Sequence, residues 1–116
     1  MKLRTLGMSG LRVSELCLGA MNFGHPRFGV GEKESVEIIH AYLDRGGNFI
    51  DTANIYTKGH SERILGDYFR TGPGKGLRDR VVIATKFGMR QGGKRETVFA
   101  AVEKSLKDLG TDYIDL

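Results

Sequence analysis

Three observations predict an α/β fold built on a parallel sheet. Short apolar runs at Leu16–Met21, Asn48–Thr52 and Val81–Thr85 read as buried strands. The segments between and after them place apolar residues at helical spacing, and glycine-rich linkers separate the two kinds of segment. This alternation predicts parallel strand pairing with right-handed crossovers. No G-x-G-x-x-G follows the first run and no Walker A motif is present, which weighs against a dinucleotide or P-loop fold and leaves a (β/α) barrel as the common home for the rhythm. With a fourth run beginning at Tyr113-Ile114-Asp115-Leu116, the chain holds half a barrel.

Taken in order, Lys2 to Leu6 alternates charged and apolar residues, Gly7-Met8-Ser9-Gly10 supplies turn chemistry, and Leu11 to Leu16 alternates again. A β-hairpin over residues 1–16 is expected, with the βα units proper running over 16–116. The run Leu16–Met21 is expected to be buried on both faces. Cys17 within it reads as a small buried hydrophobe and not a nucleophile, since no histidine or electropositive residue adjoins it in sequence. Asn22 to Gly31, with Gly24, Pro26, Gly29 and Gly31, is a loop. From about Glu32, Val36, Ile39 and Leu43 form a helical stripe that Gly46-Gly47 ends.

After the second strand, a helix from about Ser61 to Phe69 turns Ile64, Leu65, Tyr68 and Phe69 inward, and Glu62 in its first turn suits the helix dipole. Gly72 to Gly76 is a loop. The third strand, Val81–Thr85, is followed directly by Lys86 and then by a loop over Phe87 to Gly93. The last helix, from about Lys94 to Leu109, is predicted to place Val98, Val102, Leu106 and Leu109 on one face, supported by a Glu103–Lys107 pair at i, i+4. Gly110 stops it.

The composition sets bounds on function. The chain has 116 residues, 40% hydrophobic and 28% charged, with two prolines, which is the make-up of one globular domain and not of a disordered segment. The formal net charge of +4 comes from scattered basic residues. The densest group, Lys75, Arg78 and Arg80 with Asp79 among them, reads as solvated surface; without interleaved aromatics, no nucleic-acid partner is expected. A single cysteine excludes an internal disulfide framework and a cysteine-based zinc site, no metal is expected, and the lone thiol fits a reducing compartment. The opening Met1-Lys2-Leu3-Arg4 leads into alternation and not into a signal-like apolar stretch, and no run is long enough to cross a bilayer, so no membrane partner and a cytoplasmic location are expected.

The candidate chemistry lies where strands end. Asp51 closes the second run and Lys86 follows the third, so a parallel arrangement brings both to one edge, with Tyr56 on the loop above. Such a set suits carbonyl reduction. Hydride arriving at carbon builds charge on oxygen, and that charge needs stabilising and a proton. A phenol ionises near pH 10 in water, a neighbouring ammonium favours the phenolate, and a carboxylate paired with the ammonium keeps it charged and in place. The roles expected are Tyr56 as acid, Lys86 as tuner and Asp51 as anchor. His25, His40 and His60 read as solvated or satisfied side chains.

Phe49-Ile50-Asp51-Thr52-Ala53, then Tyr56, Ser61-Glu62 and Leu65-Gly66, resembles the signature of the aldo-keto reductase family. The flanks agree: Ser9-Gly10-Leu11-Arg12-Val13-Ser14 and Leu18-Gly19-Ala20-Met21-Asn22-Phe23-Gly24 before it, Ala84-Thr85-Lys86-Phe87-Gly88 and Leu109-Gly110-Thr111-Asp112-Tyr113 after it. The resemblance implies a partial (β/α)8 TIM barrel with a hairpin closing its bottom, a single incomplete family domain over 1–116, and NADPH-dependent reduction of a small-molecule aldehyde or ketone. It implies a tetrad of Asp, Tyr, Lys and His, three of which fall on Asp51, Tyr56 and Lys86, and cofactor contacts at Ala20, Met21 and Asp51. The family's histidine follows the fourth strand, and most of its pocket for the pyrophosphate and 2′-phosphate belongs to the second half of the barrel. The expectation is therefore the N-terminal portion of such an enzyme, inactive as a lone chain. The alternative is a half-barrel that self-associates or serves as a subunit with a non-catalytic binding role. Thr57 stands where the family often has glycine.

Overall fold

The computed structural model describes residues 1–116. The chain opens with an antiparallel hairpin, β1 (Leu3–Thr5) paired with β2 (Arg12–Ser14), as the alternation predicts. A parallel sheet follows in the order β3 (Leu18–Gly19), β4 (Phe49–Asp51), β5 (Val82–Ala84). Helix α1 (Glu32–Asp44) connects β3 to β4, α2 (His60–Arg70) connects β4 to β5, and α3 (Arg95–Leu109) follows β5. This is the βαβαβα rhythm of a partial barrel. No helix is long and apolar enough to cross a membrane.

Strand register decides what each face does. Ile50 lies beside Leu18 and Ile83, and with period two these point to the helix-covered face, where Ile50 and Ile83 are buried with Ile39, Leu65, Tyr68 and Leu109. Asp51 lies beside Gly19 and Ala84 and belongs to the opposite face. Val82 and Ala84 are buried on that face, but at β3 it is open, which corrects the expectation that Leu16–Met21 is buried on both sides. Cys17 and Met21 are exposed because helices pack against one side of β3 only, so Cys17 is not the buried hydrophobe expected, and Leu16, ahead of the strand, is exposed as well. The Cys17 thiol is nonetheless shifted away from reactivity: partial burial of the group is the largest cause raising its pKa, followed by the charge of Asp51, against a smaller lowering from Lys86.

The hairpin is tied to the N-terminal ends of the strands. Asn48, just before β4, accepts the Ser14 N–H at 2.7 Å and donates to the Arg12 carbonyl at 3.0 Å. The Tyr42 hydroxyl of α1 sits 2.7 Å from Ser14 Oγ, accepts the Phe49 N–H at 3.0 Å, and lies 2.8 Å from the Leu16 and Phe49 carbonyl oxygens. These bonds put the hairpin at the end of the sheet remote from Asp51.

The helices differ from expectation mainly in α3. Its buried residues are Ala101, Ser105 and Leu109: Leu109 is as predicted, whereas Ala101 and Ser105 are buried in place of Val102 and Leu106, and Val102 is exposed. The end of α3 also approaches α2 closely: a Cβ on Gly66 of α2 would lie 2.4 Å from the Asp108 carbonyl oxygen and 2.8 Å from the Leu109 carbonyl carbon, so the two helices meet there backbone to backbone. The surface pair is Lys104 with Asp108, not Glu103 with Lys107. Gly110 takes φ 60° and caps the helix, as its position predicts.

Beyond α3, Ile114–Leu116 runs alongside β5. The Thr85 N–H donates to the Leu116 carbonyl at 3.0 Å, and the Leu116 N–H to the Ile83 carbonyl at 3.3 Å, so the expected fourth strand is begun in hydrogen bonds without a regular strand having formed. Arg78 supports this segment and is not solvated as expected. Its guanidinium pairs with Asp115 at 2.9 Å, donates to the Val81 carbonyl at 3.1 Å and lies 4.1 Å over the Tyr113 ring. Substituting Ile83→Ala, at the centre of the helix-covered face, is expected to lower stability by about 2–5 kcal/mol in urea denaturation. Met8→Ala in the exposed hairpin turn should change it by less than about 0.5 kcal/mol.

Candidate active site

Asp51 ends β4, and the β4–β5 ladder continues past both strands. The Thr52 N–H donates to the Ala84 carbonyl at 2.8 Å and the Asn54 N–H to the Lys86 carbonyl at 3.0 Å. This extension carries Lys86 up beside Asp51. The Lys86 ammonium donates to both Asp51 carboxylate oxygens at 2.7 Å and to the Thr52 carbonyl at 2.8 Å. Its side chain is 50% exposed and that of Asp51 39%, so the pair faces the open mouth of the sheet.

Tyr56 begins a tight turn, Tyr56–Gly59, that leads into α2, and its ring centroid lies 5.2 Å from Lys86 Nζ. The turn is strained. Thr57 and Lys58 have φ of 48° and 54°, the left-handed region where a β-branched side chain is rare, and Gly59 follows at 87°. Thr57 is thus held in a conformation that glycine adopts freely. For Lys86, burial acts to lower the pKa, but the hydrogen bonds and charge of Asp51, and then Tyr56, outweigh it and raise the pKa above its ordinary value. The ammonium is charged throughout the physiological range.

Sequence reasoning missed the group beneath this pair. Glu62, read as a first-turn partner of the helix dipole, is fully buried, and its Oε1 accepts the Thr85 hydroxyl at 2.6 Å. Its Oε2 has no hydrogen-bond partner. Burial raises the Glu62 pKa, opposed by Thr85 and Ser105, with Asp108 adding to the rise and Lys104 opposing it. Beside it, Ser61 Oγ lies 2.7 Å from the Ala20 carbonyl and 2.9 Å from Thr52 Oγ1. The available signal was the Ser61-Glu62 dipeptide at the helix start, and its direction is set by how α2 sits on the sheet.

The two other residues singled out at β3 part company. Ala20 is fully buried with its backbone engaged, the N–H to the Asp51 carbonyl at 2.9 Å and the carbonyl to Ser61. Met21 is exposed, and its N–H has no partner within the chain. Nothing lies within 4 Å of where a Cβ on Gly19 would stand, so the sheet face between Met21 and Asp51 is open to a flat group. A cavity of about 270 Å³ adjoins Tyr56 and Lys86, walled by Ile55, Phe87 and Met89. The largest cavity, about 920 Å³, lies apart, between Arg78 and the C-terminal end of α3, and none of these residues lines it. The histidines are engaged: His25 stacks on Phe28 at 3.5 Å, His40 lies 3.2 Å from the Tyr68 hydroxyl, and His60 pairs with Glu32 at 2.7 Å.

A parallel sheet with a carboxylate, an ammonium and a phenol at its C-terminal edge is the arrangement of a barrel-type enzyme. The profile of the Aldo/keto reductase family matches residues 15–116, and the chain belongs to that family. It is 40% identical to norsolorinic acid reductase stcV of Emericella nidulans over 126 aligned residues, which cover 94% of this chain and 32% of that protein. It is 36% identical to an aryl-alcohol dehydrogenase [NADP(+)] of Phanerodontia chrysosporium, covering 92% of this chain and 32% of the relative. Among solved structures, the holo form of aldo-keto reductase AKR11C1 from Bacillus halodurans superposes with a TM-score of 0.81 at 36% identity, covering 98% of this chain and 38% of that one. The chain spans about a third of the length of the curated relatives it matches.

The buried carboxylate makes a pH-dependent prediction. With the Glu62 pKa raised on folding, the folded chain retains a proton that the unfolded chain has released, and stability falls as pH climbs from 4.5 through the raised value. Below 4.5 both states are protonated and this loss vanishes. Glu62→Gln is therefore expected to raise stability at pH 7 by about 1–3 kcal/mol. The gain should shrink toward acid, read from urea midpoints at the two pH values.

Proposed function

We propose that this chain supplies the proton-donor half of an NADPH-dependent carbonyl reductase site. The observation that carries the reading is the Lys86 ammonium, held by Asp51 at 2.7 Å and flanked by the Tyr56 ring at 5.2 Å. NADPH, when bound, supplies a hydride to the carbonyl carbon. The Tyr56 hydroxyl gives its proton to the carbonyl oxygen as charge develops there, leaving a phenolate that water reprotonates. Lys86 places positive charge beside that phenolate, and Asp51 keeps the ammonium in position.

The exposed Met21 with its free N–H, and the open face above Gly19 and Asp51, suit the nicotinamide end of the cofactor. Ala20 contributes by shaping the strand end and not by contact. The apolar walls beside Tyr56 favour an aromatic or otherwise apolar carbonyl compound, in keeping with the relative named as an aryl-alcohol dehydrogenase. Residues 1–116 act as one unit of the domain, and turnover needs a histidine from outside them. The single free thiol fits the reducing conditions of a cytoplasmic location.

A second reading, assembly with another copy of the chain, is supported by an apolar groove of about 510 Å³ between α3 and Ile114–Leu116, beside the exposed Phe87, Val102 and Leu116. Light scattering of the isolated chain distinguishes it: this reading requires a dimer, and a well-folded monomer sinks it. For the catalytic reading, Tyr56→Phe in a turnover-competent polypeptide containing these residues is expected to cut reduction of an aromatic aldehyde by about 10²–10⁴-fold. NADPH binding, followed by fluorescence, should be unchanged. Near-normal turnover would show that Tyr56 is not the donor.

A further inference from the structure

We propose that Ser61 and Glu62, the pair opening α2, are positioning residues for the reacting groups, with Glu62 acting on Lys86 through Thr85 and Ser61 acting on the Asp51 strand end through Thr52. The inference rests on the role given to Lys86 above.

Glu62 Oε1 accepts a hydrogen bond from the hydroxyl of Thr85, the residue directly before Lys86, at 2.6 Å. On an extended chain Thr85 and Lys86 point to opposite faces. Holding Thr85 on the helix side therefore fixes the direction in which Lys86 leaves on the other. Ser61 works on the neighbouring strands. Its hydroxyl bridges Thr52 Oγ1 and the Ala20 carbonyl, both contacts buried. The carbonyl of the same Thr52 is the third acceptor of the Lys86 ammonium, at 2.8 Å. Two adjacent residues of one helix thus grip the C-terminal ends of all three parallel strands.

Relative strength separates this grip from the pair it serves. The Lys86–Asp51 contact is about half exposed, and a water-facing ion pair on a flexible lysine stem is weak in fixing geometry. The bonds of Ser61 are buried and that of Glu62 is partly buried on a carboxylate itself fully buried, so breaking one leaves an unpaired polar group at greater cost. The carboxylate is also a poor choice for stability alone. It is fully buried with Oε2 unpartnered, and an apolar side chain of similar volume would fill the site without that penalty. Its contribution is what it holds.

The test reads Lys86 without turnover. In the full chain, labelled with ¹³C,¹⁵N-lysine so that the ammonium keeps its three N–H groups, the Lys86 Cε resonance, assigned by its loss in Lys86→Arg, is titrated by NMR. Lys86 is expected to titrate above a free lysine in the unsubstituted chain and in Glu62→Gln, which keeps an acceptor for Thr85. In Thr85→Val it should fall back toward the free-lysine value as the hold on Asp51 loosens. The double substitution Glu62→Leu with Thr85→Val replaces both partners by apolar groups, keeps the fold and removes the bond, and should show the same fall. A purely structural role would lower the melting temperature and leave the titration where it was. A folded double variant with an unshifted Lys86 overturns the proposal. Failure of the catalytic reading would show instead in Tyr56→Phe turnover, which this titration does not touch.

Discussion

The depth at which α2 sits on the sheet governs the mouth of the fold. That depth is limited by Gly66, where the helix meets the end of α3 with room for no side chain: a Cβ would stand 2.4 Å from the Asp108 carbonyl oxygen. One turn earlier, Ser61 and Glu62 reach the strand ends, and Leu65 between them is fully buried against the sheet. Any substituent at Gly66 would have to push α2 outward and draw Ser61 and Glu62 with it. A backbone approach remote from Asp51, Tyr56 and Lys86 thereby sets whether Thr52 and Thr85 are gripped. The steric constraint comes first, and the polar network depends on it.

Much of this was legible in the residues. Apolar runs ending in Asp51 and before Lys86 mark strand ends, and parallel pairing requires the two side chains to share an edge, which is where they meet. The glycines at 46, 59 and 110 all have positive φ at helix boundaries. What escaped the sequence was burial that depends on a second partner. An apolar run such as Leu16–Met21 looks the same whether one face or both are covered. Arg78 reads as surface among charged neighbours, yet Tyr113 and Asp115, more than thirty positions away, draw it in. The face of α3 was read correctly at Leu109 but not at Ala101 and Ser105, because periodicity measures where large apolar side chains recur and small buried residues leave no such signal. Glu62 escaped for a related reason: an acidic residue in a first helical turn has a sufficient local explanation, and nothing local reveals the threonine waiting for it.

The network and the ion pair lie on opposite faces of the same sheet, and this separates two properties of the site. The bonds of Ser61 are buried on the helix side and that of Glu62 is partly buried there, so they hold Thr52 and Thr85 from the face opposite the ion pair. The strength of the Asp51 and Lys86 charges depends on what lies over their own face. Two unit charges in contact attract by about 1 kcal/mol in water and several-fold more at the effective dielectric of a protein surface or interior. With Lys86 half exposed, the ammonium beside Tyr56 is partly screened. Covering that face with a cofactor, a substrate or more chain would remove water and strengthen the field of the ammonium at Tyr56, the proton donor in the proposed reaction. Geometry is thus built into the residues of the fold's first half, whereas electrostatic strength is gained when the open face is closed.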